Sequence, residues 1–272
     1  MQNKEKIKML IDIWESEIRD QTEEIRIGWE TALLNEIQPI KDEKIDFLEE
    51  IVDVLIKNDN TWDPNPGNPA PLFIFKESQF SSFMEYFTRE ISDSLKEHIR
   101  EDIEESNEKP KIACMSESDV ESFGSIKDLD KIISLKKPCE NIVDTIRGLG
   151  FELNDNYKFL NTKLLITYYH RVHSPVSGKI NKIVHFPKDN EFFGENSLSI
   201  VVYDHACLLL VGESKIQDFI FKVKEGDVVD IFQELGNFSW GSQTVLFFDS
   251  TVYSCKLDLE TGQHLFVGDV LS

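Results

Sequence analysis

The sequence from Lys111 onward is a succession of short apolar runs, and this pattern most constrains the fold. The runs are rich in Ile, Val, Leu, Phe and Tyr, and Gly, Pro, Asn and Asp separate them. Short apolar runs bounded by turn-forming residues predict β-strands, and several in succession predict an all-β body, either a sandwich or a partly closed barrel. The predicted strands are 162–169, 179–186, 197–203, 206–212, 217–223 and 243–249.

Residues 1–57 follow a different periodicity, because their apolar residues recur every three or four positions between Glu, Asp and Lys. This spacing predicts two amphipathic helices, which Pro39 separates. Their apolar faces comprise Ile7, Leu10, Trp14 and Ile18 in the first helix and Ile45, Leu48, Val52 and Leu55 in the second. Helical character returns at 78–91 and in the charged run 96–109.

Residues 58–71 are dense in Asn, Asp, Pro and Gly, which predicts a linker. We therefore predict an α+β protein with two parts. A helical N-terminal region and its linker occupy residues 1–70, and a β-rich catalytic body occupies residues 71–272. We interpret the N-terminal region as a helical cap that packs on the body.

The formal net charge of −21 argues against a nucleic-acid partner and against simple electrostatic attachment to an anionic membrane. No window approaches the roughly 18–20 consecutive apolar residues that cross a bilayer. The N-terminus lacks the apolar core of a signal peptide. The four cysteines have no zinc-ligand spacing, so we predict reduced thiols and no metal. We expect a cytoplasmic protein; peripheral membrane contact and a homodimer stay open.

The residues best suited to chemistry are two histidines and a serine. His170 and His173 precede a turn at Pro175, and Ser242 directly follows Gly241 in an apolar run. A histidine can take the proton of a serine hydroxyl, whose oxygen then attacks the preceding carbonyl, and glycine leaves that approach unobstructed. The alternative interpretation is a pair of inert strand-end histidines and an ordinary Gly-Ser turn.

Five segments then make a specific resemblance to the phosphatidylserine decarboxylase family of pyruvoyl enzymes. They occur in the family's order, and the histidine segment is the most specific because it matches the family's YHRxHxPxxG pattern closely. The resemblance covers roughly residues 75–272. The segments are Phe80–Ile91, Ser116–Asp119, Tyr169–Gly178, Phe193–Asn196 and Glu234–Ser242.

The resemblance implies that the chain cuts itself between Gly241 and Ser242. Ser242 would attack the Gly241 carbonyl to give an ester, and elimination and hydrolysis would convert Ser242 into a covalent pyruvoyl group. Asp119, His173 and Ser242 would form the self-cleaving relay, in which the aspartate orients the histidine. His170 would serve the later decarboxylation as a proton donor or a substrate-positioning group. The β and α fragments of one precursor would then form the enzyme.

The family's commonest substrate is phosphatidylserine, so the resemblance implies its conversion to phosphatidylethanolamine with release of carbon dioxide. A relative that decarboxylates a free aromatic amino acid such as tryptophan is an alternative, since the chain is acidic. An uncut, non-catalytic relative is a further alternative. A classical serine hydrolase is disfavoured because no GxSxG sequence surrounds Ser242.

Three departures from the family pattern accompany the resemblance. Gln243 stands where a threonine usually follows the serine in the family's short Gly-Ser-Thr form, and aligning Phe238–Phe248 to that form without a gap keeps Ser242 as the nucleophile. In the alternative alignment to the longer Gly-Gly-Ser-Thr form, Gln243 replaces the nucleophile and the site is inactive. Glu117 and Val120 replace the usual proline and glycine around Asp119. Gln217-Asp218-Phe219 interrupts a normally Val-Gly-Ser-like region, which predicts an altered substrate pocket.

Overall fold

The structure, a computed structural model, confirms the predicted α+β fold class. It combines an N-terminal helical region with a body built on a large antiparallel sheet. It describes residues 3–62, 75–77, 79–105, 110–131, 139–187, 196–212, 219–239, 242–255 and 259–271. The predicted domain boundary at residue 70 and most of the predicted linker lie outside these residues, so the boundary stays a prediction.

Three helices form the N-terminal region: α1 (Asn3–Ile13), α2 (Glu23–Ile37) and α3 (Leu48–Trp62). A π-helical turn at Trp14–Ile18 extends α1, and a 3₁₀ turn at Gln38–Ile40 contains Pro39 and ends α2. Proline therefore ends a helix, as predicted, but it ends the second helix of three. The Trp14 and Trp29 rings pack with centroids 6.1 Å apart, and both indole N–H groups have acceptors.

Farther along the chain, the described residues also include the helices α4 (Phe83–Phe87), α5 (Asp93–Glu105) and α6 (Cys139–Gly148). The helix predicted over 78–91 is reduced to the short α4. The predicted solvated helix corresponds to α5, which nevertheless buries Ile99 and Ile103. Helix α6 was not predicted from the sequence.

The body's main sheet has seven strands in the order β12-β1-β2-β11-β7-β6-β5, and every neighbouring pair is antiparallel. Strand β11 therefore lies in the middle of the sheet. Strands β3, β10 and β8 form a second sheet, and β4 pairs with β9. The strands are β1 (Ser118–Ser125), β2 (Tyr157–Leu164), β3 (Arg171–His173), β4 (Gly178–Lys179), β5 (Lys182–Phe186), β6 (Ser197–Val202), β7 (Ala206–Gly212), β8 (Ile220–Phe221), β9 (Val228–Val229), β10 (Glu234–Asn237), β11 (Ser242–Asp249) and β12 (His264–Leu265).

Both faces of the main sheet are covered, because successive side chains of a strand point to opposite faces. Leu160, Leu208 and Leu246 belong to a core cluster that also contains residues of the two small sheets and of the N-terminal helices. Phe159 and Phe247 point the other way, into a cluster with the apolar side of α6. The main sheet is thus the middle layer of the molecule.

One strand prediction was misplaced. The run 162–169 was predicted as a strand, but β2 begins at Tyr157 and ends at Leu164, and a turn follows it. Leu165 and Ile166 are buried although they lie in this turn, which is why their apolar character imitates a strand. Among the described residues, no helix combines the length and apolar character needed to cross a membrane.

Candidate active site

Segments far apart in sequence meet on either side of β3. The His173 N–H donates to the Met115 carbonyl at 2.8 Å, which ties the segment before β1 to β3. On the other side β3 pairs with β10, and the Phe238 N–H donates to the His170 carbonyl at 3.0 Å. The histidine motif therefore lies between the segment that leads to Asp119 and the segment that leads to Ser242.

Helix α4 supports the turn that carries the histidines. Ser82 caps α4 by accepting the Glu85 N–H at 3.2 Å, and the Glu85 carboxylate accepts the N–H of the preceding residue, Ser81, at 2.8 Å. These two bonds fix the start of a helix that is otherwise very short. The Tyr86 hydroxyl donates to the Thr167 carbonyl at 2.8 Å. The family-like Phe80–Ile91 segment thus acts as a platform for the turn.

Arg89 and Arg171 hold the same platform in place. The Arg89 guanidinium is buried over the Tyr86 ring and donates to the Thr167 carbonyl at 2.9 Å. Arg171 donates to Glu234 at 2.7 Å and to the Thr88 carbonyl at 2.9 Å. These bonds join α4, β3 and β10, so the histidine motif has a rigid frame.

His170 is completely buried and neutral. Burial lowers the pKa of His170 to about 3, although a hydrogen bond to the Tyr168 carbonyl opposes this. That carbonyl lies 2.8 Å from Nδ1, so Nδ1 carries the proton. The ring stacks on Phe87 with centroids 3.7 Å apart. Its Nε2 has no hydrogen-bond partner among the described residues, so this atom is available to a substrate or a reacting group.

His173 is also buried and neutral, but both of its nitrogens are occupied. Burial lowers the pKa of His173 to about 4, against the effect of a hydrogen bond to the Phe232 carbonyl. Nδ1 donates to that carbonyl at 2.8 Å, and Nε2 accepts from the Tyr169 hydroxyl at 3.0 Å. His173 can act as a base through Nε2 only after the hydrogen bond from the Tyr169 hydroxyl is broken, because that bond occupies the nitrogen lone pair.

Asp119 lies at the start of β1 and is almost completely buried. Its Oδ2 accepts from the Tyr168 hydroxyl at 2.7 Å, and its Oδ1 pairs with Nδ1 of His264 at 2.8 Å. The histidine directly paired with this aspartate is therefore His264, and His173 has other partners. Sequence reasoning missed His264, because it is an isolated histidine on a two-residue strand with no motif around it.

Ser242 is the first residue of β11, where it pairs with Leu164 of β2 and Gly212 of β7. Trp240 and Gly241 lie outside the described residues. The backbone from Phe238, which is bonded to His170, to Ser242 is four residues long and spans at most about 14 Å. A short chain therefore limits how far Ser242 can lie from the segment that is bonded to the histidine motif.

Gln243, the residue that departs from the family pattern, is buried in a polar network. Its Nε2 donates to Asn161 at 2.6 Å and lies 3.4 Å from a Glu121 carboxylate oxygen. Asn161 in turn donates to the same carboxylate at 3.3 Å. The Gln243 side chain, one residue after Ser242, is thus hydrogen-bonded to side chains of neighbouring strands.

In a comparison with protein-family models, residues 83–272 of this chain match the phosphatidylserine decarboxylase model. The match spans more than half of the chain and includes Asp119, His170, His173 and Ser242. The chain belongs to the phosphatidylserine decarboxylase family. In this family member, the histidine motif and the start of β11 are held together by the β3–β10 pairing described above.

Curated relatives agree with this assignment at modest identity. Phosphatidylserine decarboxylase proenzyme 2 of Saccharomyces cerevisiae is 26% identical over 197 residues, which cover 63% of this chain and 16% of the relative. The phosphatidylserine decarboxylase proenzyme of Francisella tularensis subsp. novicida is 28% identical over 130 residues, 47% of this chain and 41% of the relative. The chain thus spans less than half the length of these two relatives.

Proposed function

We propose that this member of the phosphatidylserine decarboxylase family is a self-processing, pyruvoyl-dependent decarboxylase. The observation that carries the proposal is the pair of buried, neutral histidines beside the segment that leads to Ser242. A proton acceptor must be unprotonated at working pH, and burial keeps both imidazoles in that form.

The first reaction is cleavage of the peptide bond between Gly241 and Ser242. His173 takes the Ser242 hydroxyl proton, and the oxygen attacks the Gly241 carbonyl, so that an ester replaces the amide. Elimination then breaks the ester, releases the carboxylate of Gly241 and leaves dehydroalanine at position 242. Water converts dehydroalanine into the pyruvoyl group with loss of ammonia. Asp119 contacts Tyr168 and His264 and not His173, so in this scheme its negative charge would stabilise the protonated His173 at a distance and without a direct hydrogen bond.

The residues around this position suit a pyruvoyl group at 242. The orphaned, buried Nε2 of His170 gives a substrate a polar contact in an otherwise apolar environment. A pyruvoyl group supplies an electron sink for the electron pair left when carbon dioxide departs. His170 would then orient the substrate or deliver a proton to it, and the surrounding aromatic rings would exclude water.

Intact mass of the purified protein tests self-processing. A processed chain gives a C-terminal fragment of the 31 residues from position 242 to Ser272, with a blocked N-terminus. Hydrazine should add to the ketone on that fragment, and the Ser242→Ala variant should remain whole. A wild-type chain that stays whole for days would overturn the proposal and favour the uncut, non-catalytic relative.

Release of carbon dioxide from two substrates tests the chemistry. We expect the processed protein to turn over phosphatidylserine in mixed liposomes, and a His170→Ala variant to lose most of this turnover while still being processed. Turnover of free tryptophan without turnover of the lipid would assign the protein to the amino-acid branch instead.

A further inference from the structure

A buried pair of carboxylates, Glu117 and Asp119, lies at the start of β1. Glu117 is completely buried and Asp119 is 7% exposed. Two buried anions so close in sequence are costly unless cations or donors compensate them. The structure shows which groups do so, and the principal one is His264.

His264 lies between the two carboxylates. Its Nδ1 is 2.8 Å from Asp119 Oδ1, and its Nε2 is 3.6 Å from Glu117 Oε1. Burial alone would lower the pKa of His264, but the hydrogen bonds to Asp119 and Glu117 and their charges outweigh it and raise the pKa to about 9. His264 is therefore a cation at neutral pH, and neither of its nitrogens can accept a proton from Ser242.

Other charged and titratable groups also face this cluster. Arg89 Nη2 lies 3.9 Å from Glu117, and the Tyr169 N–H donates to the same carboxylate at 2.7 Å. The Tyr168 hydroxyl binds Asp119, and its ring meets the imidazole of His264 edge-on with centroids 5.0 Å apart. Burial raises the pKa of Asp269, and the nearby charge of His264 partly offsets this increase. Lys163 of β2 lies opposite Asp119 in the β1–β2 register, and among the described residues His264 is the cation seen in an ion pair with Asp119.

We propose that His264 is a positioning residue for self-cleavage: its imidazolium bridges the Asp119 and Glu117 carboxylates and so fixes the position of Asp119 for the relay. This inference rests on the proposed function and assigns different roles in self-cleavage to two histidines. His173 remains the neutral base, and His264 is the fixed positive charge. Without that charge, two buried carboxylates would lie close together and His264 would no longer offset their mutual repulsion.

The pH profile of processing tests this role. Precursor made by cell-free synthesis is pulse-labelled, and the appearance of the short fragment is followed between pH 6 and pH 10. We expect wild-type processing to slow as the pH rises through about 9, because His264 loses its charge there. His264→Asn, which keeps a donor but loses the charge, should process about tenfold more slowly than wild type at pH 7 and should lack this alkaline decrease. The matched control is His98→Asn, which removes a histidine paired with Asp102 on the exposed surface of α5 and should match wild type.

A His264→Asn rate that equals the wild-type rate at every pH would overturn the inference, and so would an equal reduction at every pH, which indicates a purely structural role. If the variant does not fold, or if wild type is never cleaved, NMR titration of the histidine rings in uncut Ser242→Ala protein decides. A His264 ring that is still protonated at pH 8 supports the inference, and one that is neutral at pH 7 overturns it. Absence of wild-type cleavage contradicts the proposed function separately.

Discussion

At the scale of single residues, the environment of His173 is fixed by an unusual backbone conformation. Phe232 has φ of 67°, and its carbonyl accepts the His173 Nδ1 proton at 2.8 Å. Its ring also stacks on the imidazole with centroids 4.6 Å apart. A left-handed conformation costs a residue other than glycine about 1–2 kcal/mol. The fold accepts this cost at the position that sets the tautomer of His173.

The Tyr169 hydroxyl gives a first prediction at this scale. Tyr169→Phe removes the donor to His173 Nε2 and leaves a buried acceptor unpaired, so we expect unfolding free energy to fall by about 1–3 kcal/mol. Urea unfolding in the Ser242→Ala background measures the change. Tyr157→Phe is the control, because that hydroxyl makes no hydrogen bond to a described residue. Equal midpoints for the two variants would contradict the prediction.

The candidate site could be predicted only partly from the sequence. The family-like motifs located Asp119, His170, His173 and Ser242, since motif spacing is visible in the sequence. The pairing of Asp119 with His264 is not visible, because it depends on the antiparallel register that places these residues opposite each other in β1 and β12. The network around Gln243 likewise depends on the alignment of neighbouring strands.

At the scale of elements, β10 connects the histidine motif to the start of β11, and one glycine makes this connection possible. Gly236 has φ of 153°, and a Cβ built on it would lie 2.0 Å from the Ile220 carbonyl oxygen of β8. No side chain fits at that distance. The close pairing of β8 with β10 therefore requires glycine at this position.

Gly236→Ala should consequently separate β8 from β10, lower the unfolding free energy by about 2 kcal/mol or more, and slow the cleavage at Ser242. Gly28→Ala is a control with the opposite sign. Gly28 is exposed in α2 and has open space around it, so alanine should stabilise the helix by about 0.5–1 kcal/mol. Thermal unfolding and fragment formation are measured for both variants. A Gly236→Ala protein as stable as wild type would refute this account of β10.

The strands were easier to predict than their ends. The runs 197–203, 206–212 and 243–249 correspond closely to β6, β7 and β11, because each is apolar, uninterrupted and central in the sheet. The turn after Leu164 was taken for a strand, since α4 and the body bury its side chains and remove the polar signature that turns usually have.

At the scale of the whole molecule, the protein is strongly acidic, with 50 acidic and 29 basic residues. Two of its histidines, His170 and His173, are nevertheless buried in the neutral form. Burial keeps the pKa values of His170 and His173 at about 3 and about 4, below the usual value of 6.5. The unfolded chain therefore binds more protons than the folded chain between these values. The contribution of these two histidines to stability should be complete above pH 6.5 and should decrease as the pH falls toward 4.

When the pH is lowered from 7.5 to 5, we expect the unfolding free energy to decrease by about 2 kcal/mol for each of these two histidines. Urea unfolding of Ser242→Ala protein at both pH values measures the loss. His173→Asn in the same background should make the difference smaller, since the amide does not titrate. An unchanged difference in that variant would show that other groups cause the acid sensitivity.

The central position of β11 determines what a cut before Ser242 would do to the molecule. The severed piece would remain hydrogen-bonded to β2 and β7 along its length, and its β12 would remain paired with β1. Native mass spectrometry of processed protein should therefore detect one complex of both pieces. Strong denaturant would separate them, and they would have to find each other again by diffusion. Denaturation of the cleaved protein should therefore be hard to reverse. The intact precursor folds with β11 covalently connected to the rest of the sheet, and the cleaved protein no longer has that connection.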